Sequence, residues 1–259
     1  LKESVRAQQG DDAGLALTGV APTPLAPLRA ALAAAGFAFV QSDVMRDLLQ
    51  RHGLREWPGF AASWDDLGVD RYMADGGRYR RRRYAAFAVG AHQVVRKPHQ
   101  PHYQSRDYNP LNGGIERWFE PIREEIADHP AMHAALRLGW SIFDPLTPPE
   151  RRPAAWHVEV HQFRIEADAA RAGLPTPEGA HRDGVDWVLI LLVARVNALH
   201  GTTQILDNAR RDIGSFTLEQ PLDAALVDDA RVYHGVTPLV PAGAGQGAHR
   251  DVLVVTFRR

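Results

Sequence analysis

His181-Arg182-Asp183-Gly184-Val185-Asp186-Trp187-Val188-Leu189-Ile190-Leu191-Leu192-Val193-Ala194-Arg195-Val196 joins a pair of potential metal ligands to the longest apolar run of the chain. Broken by Asp186 and Arg195, the run from Val185 falls short of the roughly 18 to 20 apolar residues that span a bilayer. It reads as a buried strand. Around it, strands are predicted over 155–165, 202–206, 215–218, 225–227, 231–240 and 251–257, set apart by Gly, Pro, Asn and Asp. Short strands at this spacing indicate a sandwich or barrel, and the loop 241–247 reads as a hairpin connection.

The first part of the chain is helical in pattern. Pro22, Pro24 and Pro27 punctuate the entry to an Ala/Leu-rich helix over 28–35, which Gly36 can close from the left-handed region. A strand over 37–41 follows, and then a helix with Ser42 as N-cap, carrying Val44, Met45, Leu48 and Leu49 and ending near Gly53. Aromatic and β-branched residues predict strands within 78–105. The stretch 115–143, with Trp118, Phe119, Ile122, Ile126, Met132, Leu136 and Leu138, predicts helix. The expected organisation is one domain over 1–259, with a mainly helical flank at 1–77 and a β core at 78–259 that takes a helical insertion near 115–143.

Composition narrows the chemistry. With 45% hydrophobic and 24% charged residues the chain is that of a folded protein, and its net charge of -1 gives no reason to expect a polyanionic partner. There is no cysteine, which removes disulfides and thiolate metal sites and leaves His, Asp and Glu as strong ligands. A reducing cytoplasm is the expected compartment. The stretch 1–10 is polar and lacks the order of a secretory signal, so export is not indicated.

On an extended segment His181 and Asp183 point to one face with Cα atoms about 6.6 Å apart, so both can reach one ion. His234, in Val232-Tyr233-His234-Gly235, can supply the third ligand from a neighbouring strand. Two imidazoles and one carboxylate hold non-haem Fe(II) on one face and leave the other positions open. Alone, His181 and Asp183 could equally be turn residues; the sequence order of dyad, apolar strand, distal His and later Arg250 favours the metal. A rival set, His157, Glu159 and His161, lies on one strand face with its outer pair about 13 Å apart, too far for one ion. Asp186, Gln204 and Asp229 are positioned to orient the ligands.

Arg250 opens the terminal strand and offers a planar fork for a carboxylate, with Arg258 further along the same face as the alternative. His161-Gln162-Phe163-Arg164, His181-Arg182-Asp183-Gly184-Val185-Asp186, Tyr233-His234-Gly235-Val236-Thr237-Pro238 and Arg250-Asp251-Val252-Leu253 resemble the bacterial 2-oxoglutarate/Fe(II)-dependent dioxygenases that include hydroxylases of free L-isoleucine. Weaker similarity extends to Tyr79-Arg80-Arg81-Arg82-Arg83-Tyr84 and to Asn109-Pro110-Leu111-Asn112-Gly113-Gly114.

The resemblance implies a mainly β fold with flanking helices, a double-stranded β-helix or cupin-like jelly roll. It implies Fe(II) on His181, Asp183 and His234, 2-oxoglutarate clamped by Arg250, and O2 as co-reactant. An unactivated C–H bond of a free L-amino acid or close derivative would be hydroxylated, with release of succinate and CO2. Gln162, Arg164, Arg80, Arg82 and Asp186 are the substrate-binding candidates. If Gln162 and Arg164 face outward, His157, Glu159 and His161 line the pocket instead. Asn112 or Arg117 could reach the site from the loop before 115. Two alternatives stand: a protein- or peptide-modifying oxygenase, and a non-catalytic cupin-like binding module. Neither nucleic acid nor membrane is an expected partner, despite the arginine run.

Overall fold

The computed structural model describes residues 25–109, 111, 113–243 and 245–259. Pro22, Pro24, Pro110, Asn112, Ala244 and the stretch 1–10 lie outside them. The chain enters through α1 (Leu25–Ala35), β1 (Phe37–Val40), α2 (Ser42–Arg51) and α3 (Trp57–Ala62). Gly36 ends α1 with φ +81° and an amide bond to Leu32 O at 2.8 Å. Ser42 does not cap α2; it is the first helical residue, and its amide is taken by Asp223 Oδ1 from across the fold at 2.9 Å.

β2 (Arg80–Gly90) and β3 (Gln93–Arg96) form a hairpin, followed by α4 (Glu124–Ala127) and α5 (Pro130–Leu146). The helix predicted from Ile115 therefore starts nine residues late. His102 and Arg117 pair through their backbones, and Tyr84 exchanges backbone bonds with Glu120 and Ile122, so this stretch is held extended against the edge of β2. Tertiary pairing overrides the helical spacing of its aromatics.

The second half gives β4 (Trp156–Ala167), β5 (Trp187–Val196), β6 (Ala198–His200), β7 (Thr202–Leu206), β8 (Asp212–Thr217), β9 (Ala224–Asp228), β10 (Tyr233–Val236), β11 (Leu239–Pro241) and β12 (Ala248–Arg258). The strand predicted over 231–240 is split, because β10 pairs with β7 while β11 pairs with β6. Among the described residues a seven-stranded sheet runs β1-β9-β5-β12-β4-β2-β3, and a three-stranded sheet runs β10-β7-β8, all antiparallel. This is a jelly roll, two antiparallel sheets closed over one another.

Alternation explains why β5 is apolar throughout. Leu189, Leu191 and Val193 join Val158, Val160, Leu253, Val255 and Phe257 in the core under the helices. Val188, Ile190 and Leu192 face the other way, toward the small sheet. A cavity lies between the sheets, walled by β2, β4, β5 and β12 on one side and by β7 and β10 on the other. No helix among the described residues is long and apolar enough to cross a membrane.

Candidate active site

His181 and His234 face one another as an antiparallel bridge, exchanging backbone bonds of 2.9 and 3.0 Å. That pairing puts both imidazoles on one side of the small sheet. Asp183 Oδ1 lies 3.5 Å from His181 Nε2, and its Oδ2 lies 3.5 Å from His234 Nε2. Three ligand atoms thus converge within 4.8 Å. His181 Nδ1–H donates to Gly179 O at 3.0 Å, which leaves the Nε2 lone pair for an ion. Burial opposes the charge on Asp183, yet the neighbouring His181 and His234 rings hold its carboxyl well below the usual range. Two nitrogens and an ionised oxygen, with no arginine or lysine paired to Asp183 among the described residues, fit a divalent cation such as Fe(II).

Asp229 fixes the loop that presents Asp183. Its carboxylate accepts from the amides of Asp183, Gly184 and Val185 at 2.9, 2.8 and 3.1 Å. Burial, then the Asp183 charge, pushes its pKa up, against the three amides that favour the ionised form. Gly184 turns here with φ +77°, and a Cβ on it would stand 2.6 Å from the Tyr108 ring. Of the three residues expected to orient the ligands, Asp229 does so. Asp186 instead pairs with Arg259, and Gln204 is exposed on β7.

The cavity measures about 300 Å³ and has two basic ends. At one end stands Arg250, 3% exposed, its Nε without a hydrogen-bond partner. A bulge in the β5–β12 register at Asp251/Val252 sets Arg195, rather than Ala194, opposite Arg250. Burial, then the like charge of Arg195, pushes the Arg250 pKa down to about 10. Arg258 lies at the exposed far end of β12, though it too borders the cavity.

At the other end are Arg80, Arg82 and Arg117. Alternation on β2 turns Arg80 and Arg82 inward and leaves Arg81 and Arg83 to pair with Glu166 and with Asp66 and Glu120 outside. Arg80 Nε donates to Asp70 at 2.7 Å, and the Arg82 guanidinium lies between the rings of Phe119 and Phe163. The face of β4 that borders the cavity carries Glu159, His161, Phe163 and Ile165. Gln162 and Arg164 point the other way: Gln162 donates to Ser63 Oγ at 2.8 Å, and Arg164 pairs with Asp251 at 2.7 Å and Asp65 at 2.9 Å. Neither these two residues nor Asp186 borders the cavity.

The sequence reading missed His102 and Glu178. His102 comes from the extended cover, and its Nδ1–H donates to Glu159 Oε2 at 3.1 Å. No local spacing marks it, because its partner lies on β4. Glu178 borders the cavity beside His181 and keeps Oε2 buried without a partner.

Residues 61–256 match the 2OG-Fe dioxygenase family. The chain is 28% identical over 225 residues to L-isoleucine-4-hydroxylase of Bacillus thuringiensis, covering 86% of this chain and 90% of that one. It is 26% identical over 163 residues to 3(1)-hydroxy-L-isoleucine 4-dioxygenase of Pantoea ananatis, covering 61% and 64%. Among solved structures, a bsmA homolog from Methylobium petroleophilum superposes with a TM-score of 0.81 at 36% identity over 92% of this chain and 94% of that one. The fold is shared with IDO from Bacillus thuringiensis, TM-score 0.74 at 21% identity over 90% and 98%. The match over most of its length makes this chain a member of the 2OG-Fe dioxygenase family, an enzyme whose co-reactants are Fe(II), 2-oxoglutarate and O2.

Proposed function

We propose that His181, Asp183 and His234 hold the iron, that Arg250 clamps the far carboxylate of 2-oxoglutarate, and that the substrate is a free aliphatic L-amino acid of the isoleucine type. An unactivated C–H bond is hydroxylated and succinate and CO2 are released. The observation that carries this reading is Arg250: a buried guanidinium with no carboxylate partner among the described residues, in the same cavity as the converging triad. Such a charge is costly unless a bound anion compensates it. The names of the two relatives support an amino acid substrate.

When bound, the iron supplies O2 activation coupled to oxidative decarboxylation of 2-oxoglutarate. The protein's own part is positional. Val252 lies along the wall beside Arg250, Val185, Ile190, Val236 and Val254 add apolar surface that excludes water, and Asp229 keeps the Asp183 loop from shifting. A 300 Å³ cavity bordered on one side by residues of 102–109 and by Arg117 suits a small molecule better than a polypeptide.

The test is product mass after incubation with L-isoleucine, Fe(II), 2-oxoglutarate and air. A gain of one oxygen with matching succinate is expected. Hydroxylation of peptides but of none of the proteinogenic amino acids would transfer the reading to a peptide-modifying oxygenase. Absence of succinate under all conditions would leave a binding module.

A further inference from the structure

The cavity contains a second His-His-carboxylate group. Ligand atoms of His102, Glu159 and His161 converge within 4.8 Å, as those of the triad do. Their hydrogen bonds make this group a different object. Arginine only donates, so Arg82 Nη2, 2.6 Å from His161 Nδ1, must donate to it. The proton of the neutral His161 ring is then on Nε2, which offers no lone pair to a metal. Nε2–H has no protein partner among the described residues, and His161 borders the cavity. His102 has the opposite tautomer: its Nδ1–H is given to Glu159, so its Nε2 accepts.

The surrounding charge has the same sense. Arg82 and Arg117 are both buried, each with an Nε lacking a partner, and Arg117 Nη2 makes only a long 3.4 Å contact with Gln104. Asp70 is shared between Arg80 at 2.7 Å and Arg82 at 3.5 Å, so three guanidiniums meet one carboxylate at this end, and the excess positive charge repels a second cation and attracts an anion. Glu159 Oε1 receives Tyr84 Oη at 2.9 Å and, at a long 3.5 Å, His157 Nε2, while Oε2 receives only His102 at 3.1 Å and keeps a further lone pair. Donors and acceptors of opposite charge thus sit side by side, as a ligand bearing both signs requires.

We propose that this group is the clamp for the zwitterionic head of the substrate: His161 Nε2–H and Arg117 hold the α-carboxylate, while Glu159 and His102 Nε2 receive the α-ammonium. The clamp rests on the amino acid reading above. It leaves the aliphatic side chain to extend along Val185 and Val254 toward the triad. His161 and Glu159 become determinants of substrate class, selecting α-amino acids over amines and simple acids.

Calorimetric titration with Mn(II) and 2-oxoglutarate in place, which prevents turnover, tests this with three probes: L-isoleucine, 2-methylbutylamine and 3-methylpentanoic acid. In the native protein both analogues, each missing one charge of the head, should bind about tenfold or more weaker than L-isoleucine. His161→Leu should weaken L-isoleucine and the acid about tenfold and leave the amine unchanged. Glu159→Gln should weaken L-isoleucine and the amine and leave the acid unchanged. His161→Gln, which keeps an N–H donor, should recover most of the loss, and an unchanged 2-oxoglutarate affinity shows that each variant is folded. Equal weakening of acid and amine, or no weakening, overturns the clamp. So does binding of two Mn(II) per chain that falls to one in Glu159→Gln. If L-isoleucine fails to bind the native protein while 2-oxoglutarate binds, the amino acid reading fails instead.

Discussion

Arg250→Met should make the ligand-free protein more stable while abolishing its response to 2-oxoglutarate. Burial and Arg195 push the Arg250 pKa down from its ordinary value to about 10, and the side chain is buried. At about 1.4 kcal/mol per pKa unit, roughly 3 kcal/mol of unfavourable charge burial resides in the empty fold. Methionine removes that charge but packs less fully than the long arginine stem, so a net gain of about 1 to 2 kcal/mol is expected. For a chain of this size each kcal/mol moves Tm by about 2 to 4 °C, which gives a rise of roughly 2 to 8 °C.

With Mn(II) and saturating 2-oxoglutarate the order should reverse. A buried charge pair between the guanidinium and the far carboxylate contributes about 2 to 5 kcal/mol to binding, so its loss should weaken 2-oxoglutarate at least about thirtyfold. The native protein should then gain several degrees from the ligand and the variant almost none. Thermal unfolding with and without 2-oxoglutarate reads both effects in one experiment. A variant less stable when empty and still raised by 2-oxoglutarate would mean that Arg250 is a structural residue and that the clamp lies elsewhere, with Arg258 the first to test.

Asp229→Asn removes the charge that accepts three loop amides, so metal affinity should fall about ten- to hundredfold in a Mn(II) titration, with the fold retained. Gly184→Val places a branched side chain at φ +77° against Tyr108 and should cost about 1 to 3 kcal/mol in thermal unfolding. Arg164→Met strands the buried Asp251 carboxylate, so Tm should drop while the affinities for 2-oxoglutarate and L-isoleucine stay unchanged; a change in either affinity would contradict its place outside the cavity. Burial opposes the Asp70 charge, but Arg82 and Arg80 hold its pKa below the usual value. An acid depressed by folding stabilises the fold above its unfolded pKa, near 3.9, and that contribution fades as pH falls through the folded value. Asp70→Asn should therefore lower stability at pH 7 and flatten its decline below about pH 4, as acid titration of the melting curve would show.

The strand pattern and the triad were legible because both depend on local spacing. His181 and Asp183 lie two apart on extended chain, and the antiparallel bridge to His234 needed only that the two segments be neighbours. Which face of β4 turns inward was harder to read, since both faces are buried and hydropathy does not separate them. A usable signal was present: Val158 and Val160 share the face of Gln162 and Arg164, and an apolar pair belongs under helices, as it is found. Polar Glu159 and His161 were left for the cavity, while His157 on the same face lies outside its lining, 2.7 Å from Lys97 Nζ. His102 and the inward reach of Arg117 depend on backbone pairing between residues fifteen apart, across a stretch whose aromatic spacing mimics a helix.

Two clusters of the same composition in one cavity show that residue type alone does not define a metal site. The deciding atom in each is the imidazole nitrogen that faces away from the cluster. At His181 that nitrogen meets the Gly179 carbonyl, an acceptor, so the proton is drawn outward and the inner nitrogen keeps its lone pair. At His161 it meets the Arg82 guanidinium, a donor, so the proton is pushed inward and the inner nitrogen becomes a donor itself. One neighbour prepares a ligand for a cation and the other prepares a hydrogen bond for an anion. Removing the Arg82 donor, as in Arg82→Met, should free His161 Nδ1 and let the proton leave Nε2. A cluster that ignores metal in the native protein should then take up a second Mn(II), and failure to do so would place the discrimination in the charge of Arg117 rather than in the tautomer.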